Sequence, residues 1–212
     1  MKNNIKIAVL GGGGRTGEFL VRQLLAKEYR LKLLLRRPEE FTIQNPLIEI
    51  TKGDAINPES IYSLLEGCQV VISTVGQRKN EPLVSSQATL NILKSMATFG
   101  IKRYILLAGL NVDTPFDKKG EKTKMATEWM KANFSKTHAD RQETYSILEA
   151  SDVDWTLVRV PLIEFTDTNG PLISSLKDCK GEKISASDIA VFIIEQLSSD
   201  KYFKKSPFIA NS

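Results

Sequence analysis

The chain has 212 residues, a formal net charge of +4 and 42% apolar residues, enough to bury the core of one domain spanning 1–212. Its basic residues are scattered without interleaved aromatics, which argues against a nucleic-acid partner. Two distant cysteines and one histidine exclude a disulfide scaffold and the usual zinc sites, and the run Ile5–Leu10 is too short for a membrane span or signal core, so a cytoplasmic protein with no membrane role is expected.

Ile5–Leu10 reads as a buried strand that runs straight into Gly11-Gly12-Gly13-Gly14-Arg15-Thr16-Gly17, after which Phe19, Leu20, Leu24 and Leu25 mark a helix. The spacing is G-x-x-G-x-x-G. Glycine is needed there because side chains would block the tight turn and hold the backbone away from a pyrophosphate, while the helix that follows aims free N–H groups at the anion. Gly11, Gly13, Gly14, Arg15, Thr16 and Gly17 are therefore candidate dinucleotide contacts.

Leu31–Leu35 reads as a second strand ended by Arg36-Arg37-Pro38. Sites that prefer NAD carry an acid near this point to accept the ribose 2′-hydroxyl, and none stands here before Pro38. Two guanidiniums suit a 2′-phosphate, so Arg36 and Arg37 point to NADP. Leu47–Thr51 is a third strand, followed by Gly53-Asp54-Ala55, and Asn57-Pro58-Glu59 has the form of a helix start. Gln69–Thr74 is a fourth strand. Asp54, Ala55, Thr74, Val75, Gly76 and Arg78 follow strand ends on the edge where a dinucleotide lies.

Val84, Ala88, Ile92, Met96 and Phe99 fall at helical spacing before Gly100, and Lys102–Leu107 is a fifth strand. Helical character builds again around Met125–Met130, and Thr137-His138-Ala139-Asp140 has the form of a capping box. Core packing is the expected role of Trp129, Phe134 and Trp155, with lining a pocket as the alternative. Trp155–Val160 is a sixth strand. Residues 161–181 read as a substrate-side loop with a turn at Asn169-Gly170-Pro171. Ser185 and Asp188 form a second capping box before an Ile189–Leu197 helix, and Phe208-Ile209-Ala210 reads as a final strand. The alternation predicts an α/β fold: a Rossmann-type, doubly wound parallel sheet with helices on both faces.

These motifs resemble the atypical short-chain dehydrogenase/reductases, nearest the NmrA-like and biliverdin-IXβ/flavin reductase branches. The resemblance rests on Gly11–Gly17, Leu35–Pro38, Gly53-Asp54, Val71–Asn80, Ser151–Pro161 and Ile184–Ala190. It implies an NADP(H)-binding oxidoreductase that passes hydride to a small planar acceptor such as a flavin or quinone, as a monomer or weak homodimer.

The wider superfamily uses a Tyr-x-x-x-Lys pair, in which the lysine lowers the tyrosine's pKa. None of the five tyrosines here has lysine at i+4, and Tyr145 is followed by Glu149. The family's serine would fall near Ala108 or Gly109, and the flavin reductases' histidine after the late proline is Leu162 here. The catalytic residues are therefore unassigned. A non-catalytic NADP(H)-sensing or partner-binding regulator of the NmrA-like type is the competing expectation.

Overall fold

Side chains along the first strands alternate between two apolar faces, because successive residues of a strand point to opposite sides. The computed structural model describes residues 5–78 and 81–212, so Lys79 and Asn80 of the quoted motif, like Met1–Asn4, lie outside the described residues. Ile7 and Val9 of β1 (Lys6–Leu10) join one core cluster, and Ala8 and Leu10 join the other. Leu31, Leu33 and Leu35 of β2 (Arg30–Leu35) fall on the first side and Leu34 on the second. The first face is covered by α1 (Arg15–Ala26) and α6 (Ala186–Glu195). The second is covered by α2 (Pro58–Leu65), α3 (Ser85–Phe99) and α5 (Ser135–Glu149).

β3 spans Ile48–Lys52, β4 Val70–Ser73, β5 Arg103–Gly109 and β6 Asp154–Val160. Two short strands follow, β7 (Leu162–Glu164) and β8 (Leu172–Ser175), then β9 (Lys183–Ser185) and β10 (Phe208–Asn211). Among the described residues the main sheet has the order β3-β2-β1-β4-β5-β6-β10-β8. All neighbours pair in parallel except β8, which runs antiparallel to β10. β7 and β9 pair separately. The chain reverses direction across the sheet between β1 and β4, and that switch point opens a crevice beyond their carboxyl ends.

The fold follows the expected Rossmann-type pattern, with corrections in its second half. Asn57 does cap α2, its Oδ1 accepting from the Ser60 amide at 2.7 Å, and Ser185 caps α6 by accepting from the Asp188 amide at 2.9 Å. Thr137–Asp140 caps nothing of its own, because α5 has already begun at Ser135. Asp140 instead reaches α3, whose start at Val84 has no side-chain cap. Its carboxylate accepts from the Ser85 amide at 2.9 Å and the Ser86 amide at 3.1 Å, satisfying helix donors that have no carbonyl one turn earlier. The 161–181 stretch is not one continuous loop, since it contributes β7 and β8. Trp155 is buried as expected, but Trp129 and Phe134 are exposed, their rings 5.5 Å apart on the outer side of α4 (Glu121–Asn133) and its end. No described helix is long and apolar enough to cross a membrane.

Candidate functional site

A cavity of about 620 Å³ opens at the switch point, bounded by the glycine turn, the ends of β2, β3 and β4, and Phe165. That size lies within the ordinary range for a bound cofactor or substrate. Thirteen of the fourteen candidate residues line it: Gly11, Gly13, Gly14, Arg15, Thr16, Arg36, Arg37, Asp54, Ala55, Thr74, Val75, Gly76 and Arg78.

The glycine turn is closed by the Gly14 amide, which donates to the Gly11 carbonyl at 2.9 Å. Gly11 adopts φ +79°, and a Cβ there would lie 2.8 Å from the Thr74 carbonyl carbon. The turn is thereby pressed onto the end of β4, where the Thr74 amide donates to the Leu10 carbonyl at 3.0 Å. Gly17 does not line the cavity. It is glycine because α1 passes directly over the turn, leaving a Cβ only 1.9 Å from the Gly11 oxygen. The helix start is thus held close enough to present its unpaired first amides to the cavity. Arg15 stacks on Phe165, with its guanidinium carbon 4.1 Å from the ring centroid, and so ties the turn to the segment after β7. A Cβ on Gly76 would meet nothing within 4 Å, so the backbone after β4 faces open space.

The far end of the cavity is strongly charged. Arg36 donates to Glu81 at 2.7 and 3.2 Å through its two terminal nitrogens and lies 3.9 Å from Asp54. The Arg36 guanidinium holds the Glu81 carboxyl below its ordinary range. Arg37 pairs with Glu40 at 2.5 Å, and Arg78 stands 3.8 Å from Glu81. No acid follows β2 in the sequence before Pro38, but folding brings Glu81 and Asp54 to Arg36. Asp54 also accepts from the Ile56 amide at 3.1 Å, a turn contact that fixes the loop after β3.

Two side chains of α5, Asp140 buried and Arg141 half-buried, set the β4 end of the cavity. Arg141 donates to the Val75 carbonyl at 2.6 Å and to Ser85 Oγ at 2.9 Å. Burial lowers the Arg141 pKa, and the neighbouring Asp140 carboxylate opposes this only in part. Neither residue was legible as part of the site, since each acts on residues more than fifty positions away.

The cavity walls carry no activated tyrosine. Tyr145 is buried on α5, and its phenol donates to Glu149 at 2.9 Å. Burial, with the Glu149 carboxylate beside it, pushes the phenol far above neutrality, the opposite of what a paired lysine achieves. His138 stands outside the cavity wall, its Nδ1 accepting from Asn111 Nδ2 at 3.0 Å. Burial, aided by Lys131, lowers the His138 pKa and favours the neutral ring. Burial also pushes the Cys68 thiol up to about 11, which leaves it a poor nucleophile.

A sequence profile of NAD(P)H-binding proteins matches residues 11–200, from the first glycine of the turn to beyond α6. The chain belongs to the NAD(P)H-binding family. Among curated relatives, it is 24% identical over 213 aligned residues to the chloroplastic divinyl chlorophyllide a 8-vinyl-reductase of Arabidopsis thaliana, covering 91% of this chain and 50% of the relative. The chain spans between 12% and 50% of the length of the curated relatives it matches.

Solved structures share the fold at lower identity. The anaerobilin reductase of Escherichia coli superposes with a TM-score of 0.79 at 18% identity, covering 97% of each chain. A short-chain dehydrogenase/reductase of Veillonella parvula, solved in complex with NADP, gives 0.75 at 17% identity, covering 98% of this chain and 94% of the other. These neighbours bear out the Rossmann-type fold, and with the family match they agree with the resemblance to short-chain dehydrogenase/reductases. For a family defined by NAD(P)H, the protein's own geometry fits the group: a glycine turn too tight for side chains, a helix start and an arginine cluster border one cavity.

Proposed function

We propose that this protein is an NADP(H)-dependent reductase that delivers hydride to a small planar acceptor such as a flavin or quinone. The observation that carries this reading is the cavity with anion-binding groups at both ends, the α1 start at one and Arg36, Arg37 and Arg78 at the other. On this reading the Gly11–Gly17 turn and the first amides of α1 hold the pyrophosphate. Arg36, with Arg37 and Arg78 beside it, holds the 2′-phosphate through charge-assisted bonds. Thr74, Val75 and Gly76 line the nicotinamide half, at a backbone height that Arg141 fixes. The reduced nicotinamide supplies hydride when bound. Planar, easily reduced acceptors need stacking and orientation more than a positioned acid, which suits a site without an activated tyrosine. Related names support a reductase: the relative covering 91% of this chain reduces a chlorophyllide vinyl group, and a fold neighbour is an anaerobilin reductase. We place the protein in the cytoplasm, as a monomer or weak homodimer acting on a small molecule.

The buried, Glu149-bound Tyr145 favours a second reading, a regulator that binds NADP(H) without turning it over. Steady oxidation of NADPH in the presence of FMN or a quinone separates the two. Tight NADPH binding with no turnover across a broad acceptor panel would rule out the reductase and leave the regulator.

The cofactor preference has its own test. Arg36→Ala is expected to weaken NADPH roughly tenfold or more while changing NADH by less than about twofold, because bonds to a charged partner contribute about 1.5–3 kcal/mol. Calorimetric titration with each nucleotide measures this. Equal losses for both would remove the argument for NADP.

A further inference from the structure

The arginines at the end of the cavity are already engaged by an anion of the protein's own. Glu81 meets Arg36 in a two-pronged contact of 2.7 and 3.2 Å, the geometry in which a guanidinium grips a phosphate. Arg78 flanks the same carboxylate at 3.8 Å, and Arg36, Arg37, Arg78 and Glu81 together line one depression beside the main cavity. Glu81 and Pro82 are anchored by Gln77, whose Nε2 lies 3.0 Å from the Glu81 carbonyl and 3.1 Å from that of Pro82. The carboxylate is therefore presented to Arg36 from backbone that Gln77 fixes. Asp54, 3.9 Å from Arg36, adds a second negative charge at the same guanidinium.

We propose that Glu81 is an internal competitor of the cofactor's 2′-phosphate, occupying the Arg36 guanidinium in the free protein and leaving it when a phosphate binds. This rests on the reading of Arg36 as the 2′-phosphate residue. One guanidinium fork cannot grip both anions in the same plane, and two like charges side by side repel. A 2′-phosphate that takes this fork breaks the Arg36–Glu81 pair, whereas NADH, with a neutral 2′-hydroxyl, leaves it intact. Glu81 thus compresses the preference that Arg36 and its neighbours would otherwise give. It is a specificity-determining residue that never needs to touch the bound phosphate.

Calorimetric titration of the whole chain with NADPH and NADH tests this, comparing wild type, Glu81→Gln, Arg36→Ala and the double variant. The amide keeps the size of the side chain and removes its charge. Glu81→Gln is expected to tighten NADPH roughly fivefold, the upper range for releasing an exposed ion pair, and to leave NADH within about twofold. In the Arg36→Ala background the gain is expected to shrink to less than about twofold, since only the looser Arg78 contact at 3.8 Å remains to release. Unchanged NADPH affinity in Glu81→Gln overturns the proposal. So does weakened NADH affinity, which would make Glu81 the acceptor of the ribose 2′-hydroxyl. If Arg36→Ala weakens both nucleotides equally, the NADP reading itself fails. If Arg36→Ala is selective and Glu81→Gln is silent, only the role of Glu81 fails. Matching urea-denaturation midpoints confirm that the variants compared are equally folded.

Discussion

Asp117→Ala is expected to destabilise the fold by roughly 3–5 kcal/mol, because it strips a fully buried arginine of its counter-charge. Arg159 on β6 has no exposed surface. Its guanidinium donates to Asp117 at 2.7 and 2.8 Å, to the Ser206 carbonyl at 3.0 and 2.6 Å and to the Val112 carbonyl at 2.9 Å. It also lies 3.5 Å from the centroid of the Phe208 ring. The carbonyls and the ring orient the cation, but among the described residues only Asp117 balances it at close range. The charge of Lys119, 3.9 Å from the same carboxylate, would be left facing Arg159 as well. A drop in urea midpoint at constant slope measures the loss. Replacing both partners with apolar side chains of similar volume is expected to cost much less than the single change, since no orphaned charge remains. If Asp117→Ala leaves the midpoint unchanged, the pair does not hold the β5–α4 connection.

Gly17→Ala is expected to remove nucleotide binding and to destabilise by roughly 1–3 kcal/mol through overpacking. Alanine inside a helix is normally about 1 kcal/mol better than glycine, so the sign itself is diagnostic. Here the added Cβ would lie 1.9 Å from the Gly11 oxygen and 2.8 Å from both the Gly11 carbonyl carbon and the Gly12 Cα. All three are backbone atoms, so no side chain can swing aside, and α1 must lift away from the turn. The lifted helix no longer aims its first amides at the proposed pyrophosphate site. Gly76→Ala is the control: its Cβ meets nothing in the protein, so the fold tolerates it. Urea midpoints and calorimetric titration with NADPH read both effects, and wild-type stability in Gly17→Ala would refute the packing argument.

The parts of the fold legible in the sequence were those encoded by near neighbours. The glycine turn, Asn57 capping α2 and Ser185 capping α6 each act within a few residues. The capping box read at Thr137–Asp140 failed for an instructive reason. Its spacing is shared by any short polar run, and the helix had already started at Ser135, which freed Asp140 to serve α3. β7 and β8 escaped notice because strands of three and four residues are too short to show a period of two. Trp129 and Phe134 were expected in the core on residue type alone, yet the outer side of α4 has no layer to cover them.

By itself the sequence determined the α/β class, the glycine turn and the position of the arginines that follow β2, since strand periodicity and turn chemistry are local. The tertiary structure alone decided what those arginines meet. Glu81 and Asp54 reach Arg36 from other connections, Arg141 fixes Val75 from α5, and Asp117 balances Arg159 from beyond β5. Charges interact through space over a few ångströms, whatever their separation along the chain. The turn that announces a dinucleotide can therefore be read from residues in a row, but the carboxylates that face Arg36 are brought to it only by folding.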